Sequence, residues 1–467
     1  MNGWMRIGLV SRALCGLLAV GMLLMTGCSR LPAVTLDQLM EDVNAAHQAV
    51  DNDGLKKKFI RRKPVDESGE LIDNGGTYFT AIADLEDFDR NRMLTREQMV
   101  EDVTYLFDAL YAGYGNYDQM GGQAAFDAAE QAILEECRQY DSLNTLDFFK
   151  LLIPRFSFVK DAHFRIQGQK TNPDWYPFYF REMTFYEANG QYIAENHKTV
   201  ASVDGYEDLT KLFKRSISSE GEIVYYPVVL QDGTTCEETL TVHYTDGSTQ
   251  VLQCEPFDYG EQFENVDQEA IPEVCYDSGI PVARINAMQG DTTGDWYEGF
   301  QESAKALGAS RVSILDLRFN GGGNGEMALQ WLKDYAKTVV PSNALFFSAF
   351  SGAQRSTARD LWVSNDNLLV ILTSKCTASA AEWLIDAAYN LENVLVVGDN
   401  TSGAMVGSMA YIQLKNSKLI IGIGTMENII PDTNDYFEEF RGFCPDLWVP
   451  ADEAEELAVK LLEQNAR

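Results

Sequence analysis

The chain has 467 residues, 45% of them hydrophobic and 23% charged, with a formal net charge of −33 and a pI near 4.4. So acidic a composition argues against nucleic-acid binding through a basic face. The length is enough for a large core, divided by size alone among about two or three domains.

Residues 1–27 read as a lipoprotein signal peptide. Arg6 and Arg12 form a positive start, and the apolar run Ala13–Met25 is short for a membrane span. "MTGC" follows and resembles a bacterial lipobox, which makes Cys28 the expected lipidation site. Residues 1–27 hold two arginines and no acid, so the mature charge moves from −33 to −35. A lipid on Cys28 would place the protein on the extracytoplasmic face of a membrane. Of the eight cysteines, six remain besides Cys15 and Cys28: Cys137, Cys236, Cys254, Cys275, Cys376 and Cys444. They include no Cys-x-x-Cys pair, which argues against zinc. An even number in an exported chain permits disulfides, while buried thiols are at least as good a reading.

Residues 28–94 read as an N-terminal extension with a helix near Leu36–Val50. "DFDRNRMLTREQ" (Asp87–Gln98) imitates a calcium loop, but Arg92 stands where glycine is needed and Gln98 where glutamate is needed. No metal site is expected there. Residues 95–163 read as a helical domain, opened by the cap Thr95-x-x-Gln98 and continued at helical spacing. Residues 164–270 are rich in strands, with hairpin turns at Asn189–Gly190 and Asp246–Gly247. From 271 to 467 strands such as "RVSILDL", "LLVILT" and "NVLVVG" alternate with helices such as "EMALQWLKDYA". That order predicts an α/β domain with a largely parallel sheet.

Two strand-to-helix turns of that domain concentrate chemistry, because ligands in such sheets gather at the carboxyl ends of strands. One is "LDLRFNGGGNGE" (Leu315–Glu326). Neither the dinucleotide fingerprint nor the phosphate-loop pattern fits it, and Gly321–Gly323 read best as an anion or oxyanion cradle. The other is "TSKCTASAAEW", in which Ser379-x-x-Glu382 fits a capping box and also places a hydroxyl at a helix start. A nucleophilic serine needs a base. The four histidines are His47, His163, His197 and His243. His47 and His243 read as solvent-exposed, and His197 lies in a polar loop. His163 stands in "VKDAHFRI", where the helical and strand-rich segments join.

"DLRFNGGG", "TASAAEWL", "GDNTSGA" and "EEFRGFCPDLWV", in this order, resemble the C-terminal-processing (tail-specific) serine peptidase family, with its tricorn-protease and retinoid-binding-protein-like branches. The resemblance spans roughly Met99 to Val449. It implies a crotonase-like ββα catalytic domain behind a helical domain, acting on protein or peptide substrates without a metal or organic cofactor. It also implies Ser379 as nucleophile, with oxyanion-hole amides from Gly322 and Ala380. One branch places a lysine after the Gly of Thr-x-Gly. Here Thr401-Ser402-Gly403 is followed by Ala404. The tricorn-like branch uses a histidine and a late glutamate, which His163 and Glu439 match, with Glu438 the neighbouring alternative. Ala162 replaces that branch's serine before the histidine.

The leading expectation is therefore a lipid-anchored serine endopeptidase. Its rival is a catalytically silent member that binds peptides or apolar ligands, motivated by Ala162 and Ala404. Residues 164–270 stand where many members carry a PDZ domain, but lack its carboxylate-binding loop signature. An esterase of the usual kind is disfavoured, because the chain has no Gly-x-Ser-x-Gly elbow.

Overall fold

The computed structural model describes residues 34–465 apart from 52–53, 59–76, 234–235, 237–238, 257–265, 277, 349–361, 408 and 433–435. The signal segment and Cys28 lie outside the described residues. Among the described residues no helix is long and apolar enough to cross a membrane.

The C-terminal half is organised by a six-stranded sheet. Its spatial order is Val274–Cys275, Val282–Arg284, Val312–Asp316, Leu368–Thr373, Val394–Gly398 and Leu447–Trp448. The first pair is antiparallel and every other pair is parallel. The strands are apolar along their length because both faces are covered. Leu369, Ile371, Val394 and Val396 pack with the helices Gly294–Gly308, Gly325–Ala336 and Ala380–Ala388. The alternate residues Val370, Leu372, Leu395 and Val397 pack with the helices Leu36–Gln48 and Ala454–Asn465.

The helix expected near Leu36–Val50 forms over Leu36–Gln48 and packs on the sheet. Leu39, Met40, Val43 and His47 make one buried stripe, and the sheet is what covers it. Asn44 Nδ2 donates to Asn393 Oδ1 at 3.1 Å, and Asn393 N–H donates to Asn44 Oδ1 at 2.9 Å. His47 is buried, not exposed. It stacks on Tyr389 with ring centres 4.2 Å apart and lies 3.3 Å from Asp446.

The helical segment forms three main helices, Arg96–Gly113, Gly122–Cys137 and Thr145–Leu152. Its Thr95–Gln98 capping box forms as the sequence indicates. Its core is not closed, however. Ile412, Leu414, Leu419, Ile421 and Ile423, from the hairpin Met409–Gln413 and Ile420–Gly424, complete it. In the same sheet Ile421 pairs with Ile166 and Gly422 with Arg165. A segment from the C-terminal half therefore reaches back and fixes the chain just after His163.

The middle segment holds the expected hairpin Phe185–Ala188 with Gln191–Ala194, turning through Asn189 and Gly190 at φ 54° and 77°. It is tied to the large sheet at several points. Ser216 Oγ donates to the Trp448 carbonyl at 2.6 Å, and Tyr179 OH donates to Asp399 Oδ1 at 2.6 Å. Cys236 and Cys254, at the open end of a second hairpin, are in side-chain hydrogen-bond contact.

Ile421 is fully buried where the two halves share a core. Ile421→Ala is expected to destabilise the fold by about 2–5 kcal/mol, read from urea unfolding. A loss below about 1 kcal/mol would show that the helical unit is closed without the hairpin.

Candidate active site

The strand Val312–Asp316 leads into the glycine turn, and two arginines fix its start. Asp316 is fully buried. Its Oδ2 accepts from Arg284 Nε at 2.7 Å and Arg318 Nη2 at 2.8 Å. Burial alone would raise the Asp316 carboxyl, but Arg318 and Arg284 hold it below its ordinary value. Asn320 then joins the two turns. Its carbonyl accepts from Ala378 N–H at 2.9 Å, and its Nδ2 donates to the Ile285 carbonyl at 2.9 Å.

Gly322 touches the other turn directly. A Cβ there would lie 2.6 Å from Ser379 Cβ and 2.8 Å from the Ala378 carbonyl oxygen, and φ is +103°. Only glycine allows this approach. The Gly322 N–H is committed, donating to Asn320 Oδ1 at 2.9 Å. Besides this bond, Gly322 contributes the close approach. Gly321 and Gly323 line the cavity in front of Ser379, as does Ala380. Ala380 opens the helix Ala380–Ala388, where N–H groups lack intrahelical partners.

Ser379 has φ 54° and ψ −115°, a backbone conformation that non-glycine residues rarely hold. It is not a relaxed cap. Glu382 holds the turn instead. Its fully buried carboxylate accepts from Ser379 N–H at 3.0 Å, Ala404 N–H at 2.8 Å, Gly403 N–H at 2.7 Å and Thr401 Oγ1 at 2.6 Å. Burial pushes the Glu382 carboxyl up, and these four donors oppose that shift.

His163 lines the same cavity as Ser379, a space of about 760 Å³. Its backbone N–H donates to Asp161 Oδ1 at 2.8 Å, and Tyr114 OH donates to Asp161 Oδ2 at 2.9 Å. Burial, then the charges of Arg165 and Lys170, lower the His163 imidazole to about 4. Burial raises Asp161 to about 6. Among the described residues, the buried His163 Nδ1 atom has no hydrogen-bond partner.

Glu439 lies beside this histidine but bonds to backbone. Its Oε2 accepts from Ala162 N–H at 2.9 Å, and its Oε1 accepts from Met405 N–H at 3.0 Å and Val406 N–H at 3.3 Å. Glu439 thus holds the residue before His163. Burial and the neighbouring Asp161 push the Glu439 carboxyl well up. Glu438 is exposed and its backbone bridges to Gly442, which leaves Glu439 as the inward acid.

Lys375 escaped the sequence reading. Its Nζ donates to the carbonyls of Thr401 at 2.7 Å, Ser402 at 3.3 Å and Phe440 at 3.3 Å. Burial lowers it to about 8. It clamps the nucleophile turn to the segments carrying Gly403 and Glu439. Only its place four residues before Ser379 hinted at this. His197 and His243 stand apart, His243 paired with Asp204 at 2.8 Å.

The class these features define is a serine-type peptidase. Residues 280–449 match Peptidase family S41, and this segment includes Ser379 and Glu439 but not His163. No curated protein matches the chain. Among solved structures, the chain is similar to mature CPAF complexed with lactacystin at 12% identity, covering 79% of this chain and 98% of that one, with a TM-score of 0.41. The photosystem II D1 C-terminal processing protease matches at 14% identity over 76% of this chain and 93% of that one, TM-score 0.34. The tricorn protease matches at 13% over 80% of this chain and 37% of that one, TM-score 0.39.

Each Glu382 oxygen accepts two donors, so a glutamine cannot serve them all. Glu382→Gln is expected to destabilise by about 2–4 kcal/mol in urea unfolding. A loss below about 1 kcal/mol would mean that the carboxylate does not hold the two loops together.

Proposed function

We propose that the chain is an extracytoplasmic serine endopeptidase with Ser379 as nucleophile and His163 as base. The observation that supports this best is that Ser379, in its strained turn, and His163 line one cavity. His163 takes the Ser379 Oγ proton as Oγ attacks the peptide carbonyl. The Ala380 N–H and the glycine turn face the developing oxyanion. The histidine then protonates the leaving amine, and water hydrolyses the acyl-enzyme. Glu439 positions His163 through the Ala162 backbone. A lipid on Cys28 would tether the unit to the outer side of a membrane, and the catalytic domain would be of the crotonase-like ββα kind.

One observation favours a silent binding protein instead: among the described residues, His163 Nδ1 has no partner to orient the ring. Incubating the chain from Ser29 to Arg467 with an unstructured protein and a mixed peptide library, beside Ser379→Ala, separates the two readings. The parent is expected to give fragments by mass spectrometry and the variant none. Fragments from neither, with both chains folded, would favour binding alone.

The lowered imidazole also sets a pH dependence. With a folded value of about 4 against an ordinary 6.5, His163 takes up its proton only as pH falls through about 4. The acid limb of kcat/KM is therefore expected near pH 4–5, roughly two units below an ordinary histidine. A limb at the ordinary histidine value would contradict the buried, neutral base.

A further inference from the structure

Arg165 is a cation of the catalytic cavity whose charge also reaches the buried Asp161, where it opposes the rise of that carboxyl. It lines the same space as Ser379 and His163. Its Nε donates to the Ala162 carbonyl at 3.1 Å, which fixes the guanidinium beside the histidine. Among the described residues, no Asp or Glu forms an ion pair with it. Its neighbour across the strand pair is Lys170. Lys170 is answered, with its Nζ 2.6 Å from Asp174 Oδ1. On the other side Arg165 pairs with Gly422, which has no side chain to cover it. The cavity lining holds one acid, Glu326, on the first turn of the helix Gly325–Ala336. In a chain of net charge −33, an arginine in this cavity without an ion pair among the described residues stands out.

A guanidinium presents parallel N–H groups that match a carboxylate, and the match strengthens where water is excluded. Apolar side chains of Trp383, Met409, Ile420 and Met426 share the wall with Tyr411, Asn324 and the glycine turn. Gly325 and Gly407 let the backbone pack closely against the buried Trp383 indole, since a Cβ would come within 2.1 Å and 2.6 Å of its ring atoms.

Resting on the serine-peptidase reading, we propose that the cavity selects peptides presenting a carboxylate to Arg165 close to the scissile bond. That carboxylate is either an Asp or Glu side chain or the free C-terminus. The pairing has a consequence for the base. Next to burial itself, Arg165 is the largest cause of the lowered His163 imidazole, ahead of Lys170. A carboxylate that neutralises Arg165 makes the imidazole more basic while substrate is bound.

The test uses short unstructured peptides in matched pairs, Glu against Gln and free acid against C-terminal amide. Binding is measured on the Ser379→Ala chain, where no turnover is needed. Turnover is measured on the parent. The charged member of at least one pair is expected to bind about 10- to 100-fold tighter. Preference for Glu assigns a side chain, and preference for the acid over the amide assigns the C-terminus. In the Ser379→Ala background, Arg165→Gln should bring the ratio to about 1, and Arg165→Lys should keep most of it. Charged and neutral peptides binding within about 2-fold of each other, or a preference that survives Arg165→Gln in a folded chain, would overturn the proposal. Selective binding without cleavage by the parent would uphold the Arg165 contact and defeat the peptidase reading, so the two failures are distinct.

Discussion

Two carboxylates that accept hydrogen bonds from backbone hold the candidate site together. Glu382 gathers Ser379, Thr401, Gly403 and Ala404. Glu439 gathers Ala162, Met405 and Val406. A buried carboxylate is unfavourable unless its lone pairs are answered, so each acid enforces the loop geometry around it. Because the two sets of partners adjoin at Ala404 and Met405, the nucleophile turn and the histidine segment are indexed to the same short stretch. Lys375 adds a third link to Thr401, Ser402 and Phe440 from below the nucleophile.

The large sheet supplies the rigid side of this arrangement. Its parallel strands deliver the glycine turn and the Ser379 turn to one edge, where Asn320 and Gly322 bring them into contact. The histidine comes from a different part of the chain. It is placed by a hairpin that leaves the catalytic unit, completes the helical core and pairs with Arg165 and Ile166. Fold stability and site geometry are thus coupled through Ile421 and its neighbours, and a defect in that shared core displaces the base without touching the nucleophile.

The strands and helices of the C-terminal half were legible because apolar runs and helical periodicity are local signals. Both hairpin turns were legible from their glycines. Three features were not. The helix Leu36–Gln48 was itself expected, but its place on the sheet was not, since nothing in its own sequence names the sheet that covers it. The shared core hid for the same reason: Ile412 and Ile421 alternate like any strand, and their partners lie far away in sequence. In the site, Ser379, His163 and Glu439 were found through ordered motifs, but their bonding was not. Motifs show which residues occur, whereas the commitment of the Gly322 N–H to Asn320 and of Glu439 to backbone follows from three-dimensional placement.

The central claim is that Ser379 and His163 work as one unit within this frame. The most direct measurement is the rate at which a fluorophosphonate modifies the folded chain, with the labelled residue mapped by mass spectrometry and His163→Ala run beside it. The account predicts a single label on Ser379 and a rate lowered by about 10²- to 10⁴-fold in the variant. Equal rates in the two chains, or a folded parent that leaves Ser379 unlabelled, would contradict it.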